Sequence, residues 1–269
     1  MNDLIGRSQQ RFRDGEVEGF GGLEVDHPGD YATLNSNRTR DGTLAAKAAT
    51  PSIPVVFIIG TDPVGLGLMA SLNRPGGNLT GVAALVAETA AKRLELLHKS
   101  VPATELIAVL VGNQADVTVQ AEVKNVQSAA RTLGLRLLPF NITTESEIAA
   151  AFATLVERQA GAVLVSGSVP LVPRTNEIIS LAGRYALPAM FVYGLAARQG
   201  GLLSYGAVVS EYGRLVGAYT DRILKGEKPA DLPVKLPTQF EFVINLKTAR
   251  AIRLEIPPLL LALADEVIE

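Results

Sequence analysis

The chain has 269 residues, 48% of them hydrophobic and 19% charged, which suffices for one or two substantial cores. A formal net charge of −2, 5% aromatics and no tryptophan leave neither a basic field nor a base-stacking surface, so nucleic acid is not an expected partner. The absence of cysteine excludes disulfides, thiolate zinc sites and cysteine nucleophiles, and two histidines, His27 and His98, are too few for a multi-histidine metal centre.

Residues 1–42 form a leader rich in Gly, Arg, Asp and Asn, without an apolar pattern that specifies an element. It reads as irregular, with a short strand at Leu23 to Val25 and a turn at His27 to Asp30. The start of the chain lacks the basic opening and apolar core of a secretory signal peptide, and no stretch has the length of a membrane-spanning helix, so the polypeptide as written is expected to stay in the cytoplasm without membrane insertion.

From Thr43 the character changes. Ile53 to Ile59 is a β-branched apolar run of strand length, stopped by Gly60-Thr61-Asp62-Pro63. A short apolar helix is expected over Val64 to Leu72, then a turn at Asn73 to Gly77 and a strand at Asn78 to Ala83. Thr89 to Ser100 reads as a helix with Leu94 and Leu97 inward and Lys92, Glu95 and Lys99 in water. Leu106 to Val111 is a buried strand. Val119, Val123, Val126, Ala130 and Leu133 share one helical face, and Gly134 ends that helix. Strand Leu135 to Phe140 precedes a capping box at Thr144 to Glu147 and a helix through Phe152 and Leu155. Strand Ala162 to Val165, helix Ile178 to Tyr185, strand Pro188 to Val192, strand Leu202 to Tyr205 and amphipathic helix Tyr212 to Leu224 follow. A proline-containing linker (Pro229 to Pro237), strand Phe240 to Ile244, helix Leu246 to Ile252 and a polar tail complete the chain. Alternation of strand and helix with short connections is the pattern of an α/β fold whose parallel sheets are flanked by helices.

Ligands of open parallel sheets sit beyond the carboxyl ends of the strands. Those ends carry small polar or aromatic residues here: Thr61 and Asp62, Asn113 and Gln114, Ser166 and Ser168, Tyr193, and Ser204 and Tyr205. Hydroxyls, amides and phenols without a matched acid–base pair suit recognition rather than catalysis, so no catalytic residue, cofactor or metal is expected. Asp62 has the spacing either to accept a ligand's ammonium group or to cap the element after it. Gly65-Leu66-Gly67-Leu68-Met69-Ala70 has the spacing of a dinucleotide fingerprint, although Pro63 separates it from the strand end; close packing of a helix on a sheet explains the glycines as well. His98 reads as a solvated surface histidine.

The runs LAAKAATPSIPVVFIIGTDPVGLGLMASLNRPGGNLTG, GGLLSYG, GRLVGAYTDRILKGEKPADLPV and QFEFVINLKTARA resemble ABC transporter substrate-binding proteins of the tryptophan/tyrosine-binding type, a likeness that extends over Thr43 to Glu269. The resemblance implies a two-lobe periplasmic-binding-protein-like fold of type I. Residues 43–100 and 205–234 would build the first lobe, and 101–204 and 235–269 the second. It implies that Thr61, Asp62, Asn113, Ser166 and Tyr193 surround a cleft that binds a small organic solute, amino acid-like or other, for delivery to an ABC transporter permease, with no chemistry. Such proteins are extracytoplasmic and open with a signal peptide and a strand–helix–strand unit. The leader matches neither, so the first lobe is expected to be incomplete, with the flank of the Ile53–Ile59 strand exposed. A truncated, frameshifted or wrongly started reading frame would account for both. The alternatives are a nucleotide-dependent α/β enzyme using Gly65 to Ala70, a cytosolic ligand-sensing domain, and a remnant that binds nothing.

Overall fold

The computed structural model describes residues 52–269 apart from positions 145 and 169, together with 23–24, 32–36, 43, 46, 47 and 50. These residues form two compact units. One comprises the described residues up to Ala84 with Ser210–Pro237, the other Leu85–Val209 with Thr238–Glu269.

The first unit holds a four-stranded sheet in the order β1 (Leu23–Glu24), β2 (Ala32–Ser36), β3 (Val55–Ile59), β4 (Leu79–Ala83). β1 and β2 are antiparallel; β2, β3 and β4 are parallel, with Leu34 and Gly81 both opposite Phe57. The expected exposed flank of β3 is therefore covered. Two segments of the leader are strands, and the second supplies the ladder partner that the buried apolar run VVFII requires on that side. The rest of the leader lies outside the described residues. Beyond β4 the chain returns as a single residue of pairing: Lys235 N–H donates to the Gly81 carbonyl and Ala83 N–H to the Lys235 carbonyl, both at 2.9 Å. The Thr80 hydroxyl, wholly buried, donates to the Leu232 carbonyl at 2.8 Å. Helix Val209–Leu224 buries Tyr212, Val216, Tyr219 and Ile223, one apolar face at helical spacing, and the Tyr219 hydroxyl donates to the Pro233 carbonyl.

The segment expected to be a helix after β3 is not one. Residues 63–67 form a turn with three local backbone bonds, and Gly67 has φ +69°. Glycines at positions 65 and 67 disfavour helix, and the apolar residues around them are too few to compensate by packing.

The second unit is built on a seven-stranded sheet. Its strands are β5 (Leu106–Val111), β6 (Arg136–Asn141), β7 (Ala162–Val165), β8 (Ala189–Phe191), β9 (Leu203–Ala207), β10 (Phe240–Asn245) and β11 (Glu266–Ile268). The spatial order is β11-β10-β9-β8-β7-β5-β6 and only β9 with β10 is antiparallel. Side chains alternate across a strand, so β5 feeds two cores. Ile107, Val109 and Val111 join Leu94, Leu97, Val126, Ala249 and Leu260 in one cluster, whereas Ala108 and Leu110 join Ile148, Phe152, Leu155, Ile178 and Ala182 in the other. This is the double burial that a continuous apolar strand demands.

In this unit α1 is Ala90–Ser100, α2 Val117–Leu133, α3 Ser146–Glu157, α4 Thr175–Arg184, α5 Gly194–Arg198, α6 Val209–Leu224 (whose residues from Ser210 belong to the first unit), α7 Leu246–Ala251 and α8 Pro258–Leu263. Residues 85–100 belong with this unit rather than with the lobe the sequence assigns them to, because Leu94 and Leu97 pack into the β5 core. The strand containing Tyr205 likewise belongs to this sheet. The expected polar tail instead folds as α8 and β11, Leu260 being buried and Val267 pairing with Ile244. Local signals hold at the termini that carry them: Gly134 ends α2 at φ +69°, Asp116 caps its start by accepting from Thr118 N–H at 2.7 Å, and Glu147 accepts from Thr143 and Thr144 N–H at 2.6 and 3.0 Å.

Gly81 gives a direct test of the first sheet. Its φ is +154°, and a Cβ placed there would lie 2.0 Å from the Phe57 carbonyl oxygen. Gly81→Ala must therefore push β4 from β3, and chemical unfolding should show a loss of about 3 kcal/mol or more.

Candidate functional site

The carboxyl ends of β5, β7 and β8 are neighbours, because β8-β7-β5 run side by side and parallel. Asn113 follows β5, Ser166 follows β7 and Tyr193 follows β8, so the fold brings three of the five expected residues to one edge of one sheet. Thr61 and Asp62 follow β3 in the first unit.

Each of these residues also has local work. Asn113 is exposed; its Oδ1 accepts from Ala115 N–H at 2.9 Å and its carbonyl from Asp116 N–H at 3.0 Å, shaping the entry to α2. Half-buried Tyr193 is the residue before α5, and its carbonyl accepts from Ala196 N–H. Asp62 is exposed, and its carboxylate accepts from Val64 N–H at 2.9 Å and Gly65 N–H at 3.1 Å. The capping role is thus present in the fold, on a turn rather than a helix. Tyr205 is a mid-strand residue stacked on Phe240, with ring centroids 6.3 Å apart, and Ser204 is wholly buried.

Ser166 is only 3% exposed. Its hydroxyl donates to Ser168 Oγ at 2.7 Å and accepts from Ser168 N–H at 3.2 Å. The loop is close-packed on either side. A Cβ on Gly112, after β5, would come within 2.7 Å of Ser168 Oγ, and one on Gly167 within 2.8 Å of Val86. Of the two hydroxyls, half-buried Ser168 is the one nearer solvent.

Between α1 and α2 lies a buried ion pair that is not among the expected site residues. Arg93 of α1 is fully buried and Glu122 of α2 is 4% exposed; Arg93 NH2 and Glu122 Oε1 are 2.5 Å apart. Arg93 NH1 also donates to Thr89 Oγ1 at 2.6 Å. Burial pushes the Glu122 carboxyl above the ordinary glutamate range, against the pull of the Arg93 charge and of its hydrogen bond. A signal for the pair exists in the sequence. Arg93 lies four residues before Leu97, and Glu122 lies three after Val119 and four before Val126, so both occupy inward helical positions. A second group of charges, on the surface, is self-paired: Arg198 of α5 bonds Glu241 Oε2 at 2.6 Å and Glu266 Oε2 at 2.5 Å. His98 is half-buried rather than solvated, and its Nδ1 has no hydrogen-bond partner among the described residues.

Gly65 to Ala70 lies in turn and bend geometry, so the strand–glycine turn–helix arrangement that holds a dinucleotide is absent there. Among the described residues, no group of three or more His, Asp and Glu is placed to hold a metal ion, and no helix is long and apolar enough to cross a membrane. A small crevice lined by Ile179, Leu187, Gly200, Leu202, Thr248 and Ile252 has a volume of about 10 Å³, room for one water, and lies by the starts of β8 and β9, away from the candidate edge.

The mainly parallel, helix-flanked sheets are those of type I periplasmic-binding-protein-like structures. An ABC domain from Streptococcus pneumonia, solved in complex with L-Trp, aligns at TM-score 0.78 and 24% identity over 99% of this chain and 86% of its own. A conserved domain protein from Vibrio cholerae aligns at TM-score 0.78 and 22% identity over 98% and 83%. The family model for ABC transporter substrate binding proteins matches residues 40–268, and the chain belongs to that family. It is also 28% identical over 218 residues to a protein of Clostridioides difficile (strain R20291) named tyrosine-binding protein, across 78% of this chain and 60% of that relative's length.

The raised Glu122 pKa has a measurable sign. A carboxyl whose folded pKa exceeds its unfolded value of about 4.5 contributes most stability below that value and loses it as pH rises through the folded pKa. The stability of the wild-type chain minus that of Glu122→Gln should therefore fall as pH is raised from about 4.5, when urea melts are compared across pH.

Proposed function

We propose that the chain is the solute-binding component of an ABC importer, taking up a small amino acid-like solute with an aromatic side chain and passing it unchanged to a permease. The observation that supports this reading is the shared edge of β5, β7 and β8 in a chain of this family. It sets an amide (Asn113), a hydroxyl pair (Ser166 and Ser168) and a phenol (Tyr193) above an apolar sheet. Thr61 and Asp62, at the corresponding end of β3 in the first unit, are the further candidates.

The chemistry of these groups suits an amino acid. Hydroxyl and amide donors match a carboxylate, a carboxylate acceptor matches an ammonium group, and a phenol ring matches an aromatic side chain. The ligand class draws on two relatives, since the Clostridioides difficile protein is named for tyrosine and the Streptococcus pneumonia domain was solved with L-Trp. The chain spans 60% of the length of the first of these. A binding role without catalysis accords with the family, whose members bind small molecules and work with ABC permeases.

Titration calorimetry with L-tyrosine and L-tryptophan tests the reading. Binding to wild type should weaken on the order of 10- to 100-fold in Asp62→Asn, if the carboxylate takes the ammonium group in a charge-assisted bond. Loss of one neutral hydroxyl in Tyr193→Phe should cost about 0.5–1.5 kcal/mol. Unchanged affinity in both variants would move the solute away from these strand ends, and binding of neither amino acid would remove the ligand class.

A further inference from the structure

Tyr193 follows β8 at the candidate edge, and both of its chain neighbours are closely packed. Before it, the Val192 carbonyl oxygen lies 2.1 Å from where a Cβ on Gly206 of β9 would stand. After it, a Cβ on Gly194 would lie 2.1 Å from Glu241 Oε1 and 2.8 Å from Arg198 Nη1. The first contact is backbone against backbone and belongs to the β8–β9 pairing. The second differs in kind, because the atoms that fill the space beside Gly194 belong to an ion pair.

Glu241 stands on β10 opposite Gly206, with its side chain 14% exposed. Arg198 is four residues after Gly194 and so on the same face of α5. Its guanidinium forks onto the Glu241 carboxylate, Nη1 donating to Oε1 at 3.2 Å and Nη2 to Oε2 at 2.6 Å. Glu266 of β11 also accepts from Arg198, from Nε at 3.0 Å and Nη2 at 2.5 Å, in a pair 40% exposed on both partners. The other end of α5 is held without charge. There the Asn245 amide donates to the Ala197 carbonyl at 2.9 Å and the Thr248 hydroxyl to the Gly200 carbonyl at 2.8 Å.

The two glutamates bond one arginine at similar distances, yet Glu241 is the one set against Gly194. Exposed ion pairs contribute little to stability, so stability alone is a weak account of the arrangement. A fork lying on the backbone beside Tyr193 restricts where the chain can place that residue.

We propose that Glu241, gripped by Arg198, is a positioning residue for Tyr193: it holds the Gly194 backbone so that the phenol is presented at the binding edge. Neither charge touches the solute. The consequence for binding rests on the solute-binding reading above; the hold on the backbone is measurable without any ligand.

The Ala196 N–H donates to the Tyr193 carbonyl at 2.9 Å, so its hydrogen exchange reports opening of this turn. The full chain is compared with Glu241→Gln, Arg198→Met and a control, Glu266→Gln. The sheet reference is the Val163 N–H, which donates to the Pro188 carbonyl at 2.8 Å. Glu241→Gln and Arg198→Met should each lower Ala196 protection about three- to tenfold relative to Val163. Glu266→Gln should change that ratio less than about twofold. L-Tyrosine and L-tryptophan affinities should likewise fall about three- to tenfold in Glu241→Gln and stay near wild type in Glu266→Gln. Made in a Tyr193→Ala chain, Glu241→Gln should alter affinity less than about twofold, because the side chain it positions is gone. Equal Ala196 ratios in Glu241→Gln and Glu266→Gln would overturn the proposal. So would an equal affinity loss from Glu241→Gln with and without the Tyr193 side chain. If Tyr193→Ala leaves no measurable binding, the contrast between Glu241→Gln and Glu266→Gln decides. A wild-type chain that binds neither amino acid would instead remove the ligand reading, and the Ala196 ratio would then decide the hold on the backbone by itself.

Discussion

Everything in the second unit depends on β5 being buried on both faces. A six-residue strand with no side free for water must have helices above and below and parallel neighbours on its flanks, and that arrangement puts the ends of β5, β7 and β8 in one row. The polar residues of this row are where they are because the chain must leave the sheet there, and turns at strand ends favour small polar side chains. The proposed recognition chemistry and the fold requirement thus coincide at Asn113, Ser166 and Tyr193, and each of them makes local bonds that shape its own turn. The same is true of Asp62 in the first unit, whose carboxylate is held by two turn N–H groups.

Set against this apolar frame, the Arg93–Glu122 pair is the exception in the core. Two charges are taken out of water between α1 and α2, and Arg93 also donates to the Thr89 hydroxyl and the Val86 carbonyl. Burial and pairing pull the Glu122 carboxyl in opposite directions, and burial prevails.

Much of the second unit was legible in the sequence because its signals are redundant. Leu106–Val111 and Ala162–Val165 are bounded as expected, since long apolar runs, helical spacing and terminal glycines agree there. The readings that failed had one signal each. The apolar residues after Asp62 suggest a helix, but Gly65 and Gly67 outweigh them. The expectation of a polar tail passes over the apolar run Leu259 to Ala264, where Leu260 packs a helix before Val267 pairs a strand. β2 was invisible because Ala-Thr-Leu-Asn-Ser has no strand pattern of its own; it becomes a strand because β3 offers an unpaired edge, a tertiary fact. At the candidate site, strand ends could be read from turn residues. Arg93 and Glu122 could not be read as a pair, because no local pattern tells which buried charge on α1 meets which on α2.

The central claim is that a solute is held at the carboxyl-end loops. The most direct measurement follows backbone amide signals of the whole chain by NMR while L-tyrosine or L-tryptophan is added. The account predicts saturable shifts concentrated at residues 60–62, 112–114, 166–168 and 192–194, with the amino-terminal ends of β8 and β9 unmoved. Saturable shifts centred instead on Leu187, Gly201 and Ile252, with those four loops silent, would contradict it.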